Sequence, residues 1–463
     1  MPAAQALAAV LALHPCHVPG VDAEVKCGTY SVPENRAHPD QGRRIPLNVV
    51  VLPSRAATPA PDPFFVVSFG GPGGTNSENA GFAWERWWRD ARDVVMVDIR
   101  GTSGPSRLDC PTLPSDGRTE AALETLFPPE RMRRCREALE KVADLTQYTS
   151  ANVIDDLDEI RAALGYDKVN LWGASWGTRA VLIYLRRHPE HVRSAIIEGV
   201  APMAMKNPLT HARAAQEALD HTFDECDAQP SCHAAFPGIR KEMAGLMERL
   251  HRAPAKVTLK DPKTGAAVSV ELTWQRFAEA LRVLTYYIPR ERGVLQLIHG
   301  AAAGNLTPFA EAAAESNRQF RGALRFGLLL SITCAEDLSR IEPGEIERES
   351  AGTYLGDSRV REQLAACAAW PHAPLEKGYA DPVRSSVPVF LLSGTLDPVT
   401  PPRFGAEAAK ALSRAVHVVA PGTHVPAGPC VDAMQKAFLE AAAPEAVDQR
   451  CVKEMKLPPI DVP

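Results

Sequence analysis

One serine lies in a short glycine-rich turn whose surroundings indicate nucleophilic chemistry. Ser175 is the centre of Gly173-Ala174-Ser175-Trp176-Gly177, between an apolar run and an apolar pattern of helical spacing. A strand that turns sharply into a helix places such a serine at the helix N-terminus, where backbone N–H groups face a developing negative charge. The flanking glycines allow the strand and the helix to approach each other closely. We therefore predict that Ser175 is a nucleophile.

A serine hydroxyl needs a neighbouring base, and that base needs a group to orient it. Asp397 and His424 each follow a predicted strand, at the edge where α/β sheets carry their active sites. We predict that His424 is the general base and then the general acid, and that Asp397 orients its ring. Glu198 also ends a predicted strand and is the alternative acid. His417 is the alternative base, although it lies within a strand and not after it.

A second glycine-rich stretch, Gly70-Gly71-Pro72-Gly73-Gly74, follows the predicted strand 63–69. Four glycines around a proline form no regular element, and their backbone can lie directly against a ligand. We predict a loop that donates a main-chain N–H near Gly71 to an oxyanion. A flexible turn without a catalytic role is the alternative.

The elements that must position these residues alternate between strand and helix. Strands are predicted at 44–53, 63–69, 93–99, 194–197, 387–392 and 415–420, and a helix at 149–164. This order indicates a doubly wound, mostly parallel α/β sheet. Helical patterns dominate from about residue 202 to about 383, with a small β pair near 257–272. We predict one core formed by residues 1–203 and 384–463, interrupted by a mainly helical cap of residues 204–383.

Composition excludes several functional classes. The 463 residues are 45% hydrophobic and 23% charged, with a formal net charge of −5, as expected for a globular protein without a nucleic-acid footprint. No apolar run reaches about 18 residues, so no membrane span is predicted. No cofactor or metal site is predicted.

Residues 3–13 resemble the apolar part of a signal peptide without its basic leader. We interpret them as the first ordered segment of a mature chain, and a plain N-terminal helix is the alternative.

Ten cysteines fall in close sequential couples, which indicates local disulfides and a secreted or periplasmic protein. Zinc sites at Cys226, Cys232 and His233, or at His14, Cys16 and His17, lack the usual ligand spacing. Free thiols in a cytosolic enzyme are the remaining alternative.

Taken together, these motifs resemble the prolyl aminopeptidase and tripeptidyl aminopeptidase family of α/β-hydrolases. The resemblance rests on Phe69 to Gly74, Asp98-Ile99-Arg100-Gly101-Thr102-Ser103-Gly104, Gly173 to Gly177, Gly394-x-x-Asp397 and Gly422-Thr423-His424. It implies an α/β-hydrolase fold, a triad of Ser175, Asp397 and His424, and oxyanion N–H donors at Gly71 and Trp176.

The resemblance also implies how the substrate is held. Exopeptidases of this family recognise the free α-amino group with carboxylates of the cap, and Ser331 to Asp337 resembles the segment that carries them. It implies Glu336 as the ammonium ligand, with Asp337 as the second choice; a solvated pair of carboxylates is the alternative. Phe69, where prolyl enzymes often have histidine, and Ile99, where glutamine is usual, leave the substrate preference open.

The activity implied is that of a serine exopeptidase. Such an enzyme releases N-terminal residues, proline or other apolar ones, or short peptides such as tripeptides, through an acyl-enzyme, from peptides with a free N-terminus. A carboxylesterase with the same triad is the first alternative. A binding protein on an inactive hydrolase fold is the second. The number of residues released and the oligomeric state are not set by the sequence.

Overall fold

A computed structural model describes residues 11–113, 118–288 and 290–463, so most of the segment 3–13 lies outside the described residues. The strands are β1 (His14–Cys16), β2 (Val25–Pro33), β3 (Arg44–Leu52), β4 (Phe64–Ser68), β5 (Val94–Val97), β6 (Val169–Ala174), β7 (Val192–Glu198), β8 (Ala255–Lys260), β9 (Ala267–Leu272), β10 (Val389–Gly394) and β11 (Ala415–Ala420).

The α-helices are α1 (Ala80–Glu85), α2 (Thr119–Ala122), α3 (Pro129–Leu139), α4 (Ser150–Ala163), α5 (Trp176–Arg187), α6 (His211–Ala228), α7 (Pro230–Ala235), α8 (Ile239–Arg252), α9 (Trp274–Leu284), α10 (Val294–Ala302), α11 (Thr307–Gly322), α12 (Phe326–Glu336), α13 (Pro343–Ser350), α14 (Ser358–Cys367), α15 (Pro402–Ala409) and α16 (Pro429–Ala441). Short 3₁₀ turns lie at Ser77–Asn79, Trp87–Arg89, Gly104–Ser106, Leu145–Gln147, Pro189–His191, Arg290–Gly293, Leu338–Arg340, Pro444–Ala446 and Arg450–Glu454.

One large sheet organises the fold. Within the described residues it has nine strands in the order β1-β2-β3-β5-β4-β6-β7-β10-β11. The first four strands in this order pair antiparallel, and every pairing from β5 to β11 is parallel. The predicted mostly parallel α/β sheet is therefore confirmed. Strands β8 and β9 form a separate antiparallel hairpin.

Both faces of the sheet are buried, which explains why its central strands are apolar without interruption. In β5, Val95 and Val97 belong to one hydrophobic cluster, and Val94 and Met96 belong to another on the opposite face. Alternate residues of a strand point to opposite faces, so a strand covered on both sides needs apolar residues at every position. Helices α4 and α5 contribute to the first cluster and α16 to the second.

The chain between β7 and β10 is mainly helical, but it does not pack as one unit. Residues from α6 to α11 and the β8–β9 hairpin form their own hydrophobic cluster. Helix α12 and the end of α14 instead belong to the first of the two sheet clusters, the one that contains Val95 and Val97. They contribute Leu328, Leu330, Ile332 and Ala366. By packing, the later part of the predicted cap 204–383 therefore belongs with the core. The predicted domain boundaries remain a proposal.

The ten cysteines form five pairs, each joining sequential neighbours, with Cα–Cα distances of 4.9–5.9 Å. The pairs are Cys16–Cys27, Cys110–Cys135, Cys226–Cys232, Cys334–Cys367 and Cys430–Cys451. Cys16, Cys226 and Cys232 are all in disulfides, so they do not supply the free thiolates that the alternative zinc sites need. Among the described residues, no helix combines the length and apolar character needed to cross a bilayer.

Candidate active site

Ser175 lies at the turn between β6 and α5, as predicted. Its backbone has φ 55° and ψ −123°, a left-handed conformation that non-glycine residues seldom adopt. Such strain persists only where the surrounding structure fixes it, and it is common at functional sites. Because Trp176 is the first residue of α5, its N–H has no carbonyl partner inside the helix and stays free for a ligand.

The two glycines of the turn are required by close backbone contacts. A Cβ on Gly177 would overlap the carbonyl oxygen of Ser68 at the end of β4. A Cβ on Gly173 would overlap the carbonyl oxygen of Gly177 itself. The first turn of α5 is therefore pressed between β4 and β6, which holds Ser175 at the carboxyl edge of the sheet.

Asp397 and His424 lie side by side after β10 and β11. The Nδ1 atom of His424 is 2.9 Å from Oδ2 and 3.0 Å from Oδ1 of Asp397, and both side chains are buried. With Nδ1 directed to the carboxylate, Nε2 faces away, and it has no hydrogen-bond partner among the described residues. A histidine held in this way can accept a proton at Nε2 while the carboxylate stabilises the resulting charge.

Thr400 is a site residue that the sequence reasoning missed. Its hydroxyl donates to Oδ2 of Asp397 over 2.6 Å and lies 3.2 Å from Nδ1 of His424. The backbone N–H groups of Val399 and Thr400 donate to Oδ1 of the same carboxylate, at 2.8 and 2.9 Å. The sequence Asp397-Pro398-Val399-Thr400 could have indicated this role. An aspartate side chain readily accepts hydrogen bonds from the backbone N–H groups two and three residues later. These bonds fix the carboxylate independently of His424.

The glycine loop after β4 lies against the serine. A Cβ on Gly70 would be 3.2 Å from Cβ of Ser175, and Gly70 and Gly71 both have positive φ, 134° and 36°. Gly71, Trp176, Ser175 and His424 line one cavity of about 260 Å³. The structure thus brings the predicted oxyanion donors to the same cavity as the serine and the histidine.

The alternative acid and base occupy other positions. Glu198 is buried below the turn, where its Oε1 accepts hydrogen bonds from Trp172 Nε1, at 3.0 Å, and from Gln435 Nε2. Burial raises the pKa of its carboxyl group. His417 contacts the hydroxyl of Ser393 at 2.9 Å, inside β10 and β11, and burial lowers its pKa. Neither residue lies among those that line the cavity.

Glu336 and Asp337 are not at the cavity, contrary to the expectation from the resemblance. Glu336 accepts hydrogen bonds from the backbone and hydroxyl of Ser150, both at 2.6 Å, and from Tyr379 at 2.7 Å. Asp337 pairs with Arg179 over 2.6 Å. Both carboxylates are buried: Glu336 binds the start of α4, and Oδ1 of Asp337 holds Arg179 while its Oδ2 has no hydrogen-bond partner among the described residues. We therefore assign Glu336 to capping the start of α4 and Asp337 to holding Arg179.

The cavity is lined by aromatic and basic side chains. Its described lining includes Arg179, Arg282, Arg359 and His211 but no aspartate or glutamate. Tyr286 closes one side, because its ring packs edge-to-face on His424 with the ring centroids 5.4 Å apart. Helices α6, α9 and α14 of the insertion supply most of this basic lining. Sequence patterns gave no sign of the cluster, because its members are far apart along the chain.

Comparisons with known proteins find family models and individual proteins that are similar to this chain. A family model described as the alpha/beta hydrolase fold matches residues 66–241, and one described as TAP-like protein matches residues 353–451. Serine protease Hip1 of Mycobacterium tuberculosis is 26% identical over 426 residues, covering 83% of this chain and 79% of that protein. Tripeptidyl aminopeptidase of Streptomyces lividans is 27% identical over 197 residues, covering 38% and 35%. A thermophilic esterase structure from Thermogutta terrifontis has a TM-score of 0.40 and 14% identity, covering 89% and 98%.

The contacts of Gly177 predict a specific steric effect. Gly177→Ala is expected to lower the free energy of unfolding by roughly 1–3 kcal/mol, because the new methyl group forces Ser68 and α5 apart. Denaturant titration measures this change. Gly245→Ala is the control, because Gly245 lies in α8 with its nearest neighbour 3.9 Å from a built Cβ; it should be neutral or stabilising. Equal stability of Gly177→Ala and the unsubstituted chain would contradict the packing described.

The raised pKa of Glu198 predicts a pH-dependent effect of Glu198→Gln. A folded state that holds the proton more tightly than the unfolded state gains stability at low pH and loses it as the pH rises through the folded pKa. Glutamine cannot titrate, so the variant should gain stability relative to the unsubstituted chain as the pH rises. The slope is about 1.4 kcal/mol per pH unit between the ordinary and the raised pKa.

Urea titrations across this pH range measure the difference. The same substitution at the exposed Glu445 controls for the loss of one charge. A difference between Glu198→Gln and the unsubstituted chain that is constant, or that shrinks with rising pH, would show that the buried carboxylate does not titrate as described.

Proposed function

Because this chain is an α/β-hydrolase related in sequence to proteins named as serine peptidases, we propose that it is a serine peptidase with the triad Ser175, His424 and Asp397. The observation that carries the proposal is the placement of Ser175 and His424 on one cavity, with His424 held at Nδ1 by Asp397. The glycine loop beside the serine adds the means to bind an oxyanion.

In the proposed reaction the hydroxyl oxygen of Ser175 attacks the carbonyl carbon of the scissile peptide bond. His424 takes the hydroxyl proton at Nε2, and the carbonyl oxygen becomes an oxyanion that the N–H groups of Gly71 and Trp176 bind. The imidazolium then protonates the leaving amine, and the C–N bond breaks to leave an acyl-enzyme. Water, activated by the same histidine, hydrolyses the ester and restores the serine.

We further propose that the enzyme acts as an exopeptidase on short peptides. The name of the Streptomyces relative, tripeptidyl aminopeptidase, and the cavity's modest volume of about 260 Å³ support this mode. The five disulfides support an extracellular or periplasmic location.

A panel of substrates tests the activity and its mode. Aminoacyl and tripeptidyl anilides, each with a free or an acetylated N-terminus, are compared with simple esters for the unsubstituted chain and for Ser175→Ala. We expect the free tripeptidyl anilide to be cleaved faster than its acetylated form. Cleavage by Ser175→Ala should fall by at least about a thousandfold, since the nucleophile is removed.

Each alternative gives a distinct result in this panel. Equal cleavage of free and acetylated peptides would refute the exopeptidase mode but not the peptidase. Turnover of esters alone would indicate a carboxylesterase. Glu336→Gln is the matched control for the corrected assignment, because a residue that only caps α4 should change the kcat/KM of free and acetylated peptides by the same factor.

A further inference from the structure

The basic lining of the cavity includes a histidine that no protein group satisfies. His211 is the first residue of α6, 5% exposed, and neither of its ring nitrogens has a hydrogen-bond partner among the described residues. Burial, with Arg282 and Arg359 close by, lowers the pKa of His211 well below its ordinary value. A neutral imidazole has one N–H donor, and His211 is among the residues that line the cavity.

Arg359, on α14, is the second member of this group. It is 7% exposed; its Nη1 donates to Gln363 over 2.7 Å, while its Nε has no hydrogen-bond partner among the described residues. Its nearest carboxylate, Glu279, is 3.6 Å from Nε. Both oxygens of that carboxylate already accept hydrogen bonds from Arg282.

The counter-charge near Arg359 is shared with another cation. Glu279 serves two guanidinium groups, and Glu362 acts on Arg359 only at longer range. Burial and the neighbouring Arg282 lower the pKa of Arg359, the direction expected for a cation that lacks a full counter-charge. Arg282, by contrast, is fully bound by Glu279 and by the hydroxyl of Tyr286, 2.6 Å from Nη1. Arg179 is similarly bound by Asp337.

Arg359 is thus a buried cation that shares its ion-pair partner Glu279 with Arg282 and whose Nε has no hydrogen-bond partner among the described residues. Beside the unsatisfied ring of His211, and with no acidic group on the described cavity wall, it favours an anionic ligand group. We propose that Arg359 and His211 form a subsite for a carboxylate of the substrate. This inference rests on the proposed peptidase function, since peptides offer such a group in two places: an aspartate or glutamate side chain, or the C-terminus of a short peptide. The subsite would determine which peptides are cleaved, separately from the triad.

Binding to the full-length Ser175→Ala chain tests the subsite without turnover. Calorimetry compares trialanine with trialanine amide, which differ only in the C-terminal carboxylate. It also compares alanine tripeptide amides that carry aspartate or asparagine at each position in turn. We expect the carboxylate form of at least one pair to bind about tenfold more tightly or better, since hydrogen bonds between ions strengthen in a desolvated cavity. The pair that shows the preference identifies the source of the carboxylate.

Variants in the same background assign the preference to residues. Arg359→Ala should bring the ratio of the two dissociation constants close to one. Arg359→Lys should retain part of it, and His211→Phe, which keeps the ring volume but removes both nitrogens, should lower it. Arg361→Ala is the matched control, because Arg361 lies on the same helix but is exposed and paired with Asp357. The ratio should be unchanged in this control. A ratio does not depend on the fraction of each preparation that is folded.

Two results would overturn the subsite: no preference for the carboxylate in any pair, or a preference that Arg359→Ala leaves intact. Peptide cleavage by the unsubstituted chain tests the proposed function separately. If cleavage is absent, the peptidase proposal fails, while the binding ratios still decide whether the cavity holds a carboxylate.

Discussion

The contact of the first turn of α5 with the end of β4 is the constraint on which the candidate active site depends. Glycine at 177 lets the helix reach the carbonyl of Ser68, and Ser175, two residues earlier in the same turn, has a positive φ. A backbone in that state costs about 1–3 kcal/mol, which the packing of α5 into the buried core under the sheet offsets. The glycine loop after β4 leaves the same strand end, so one packing contact sets both the serine and the loop beside it.

The parallel arrangement of the sheet positions the other two residues of the proposed triad. Parallel strands end at a common edge, so the loops after β6, β10 and β11 meet although they are far apart in sequence. Asp397 is fixed by its own turn through Thr400, and His424 is fixed between that carboxylate and the ring of Tyr286. Tyr286, from the insertion between β7 and β10, thus contacts His424 directly at the cavity.

The sequence predicted the parts of the molecule that local pattern determines. The strands of the parallel sheet lie close to their predicted bounds, because a strand buried on both faces is apolar throughout. Strand β2 was not predicted because the exposed residues Lys26, Thr29 and Ser31 interrupt its apolar pattern. The sequence could not predict where the side chain of Glu336 points, because that depends on hydrogen bonds from Ser150, 186 positions earlier. The grouping of His211 with Arg359 likewise depends on how α6 and α14 pack.

The residues proposed to carry out the reaction differ from those that give the cavity its positive charge. In the proposed account the triad and the loop act on the acyl group, whereas the basic lining from α6, α9 and α14 would discriminate among substrates by charge. The central claim is that Ser175 is the nucleophile activated by His424, and covalent labelling tests it most directly. A fluorophosphonate should modify the chain once, at Ser175 by peptide mapping, and much more slowly after His424→Ala. Labelling at another residue, or no labelling of the folded chain, would contradict this account.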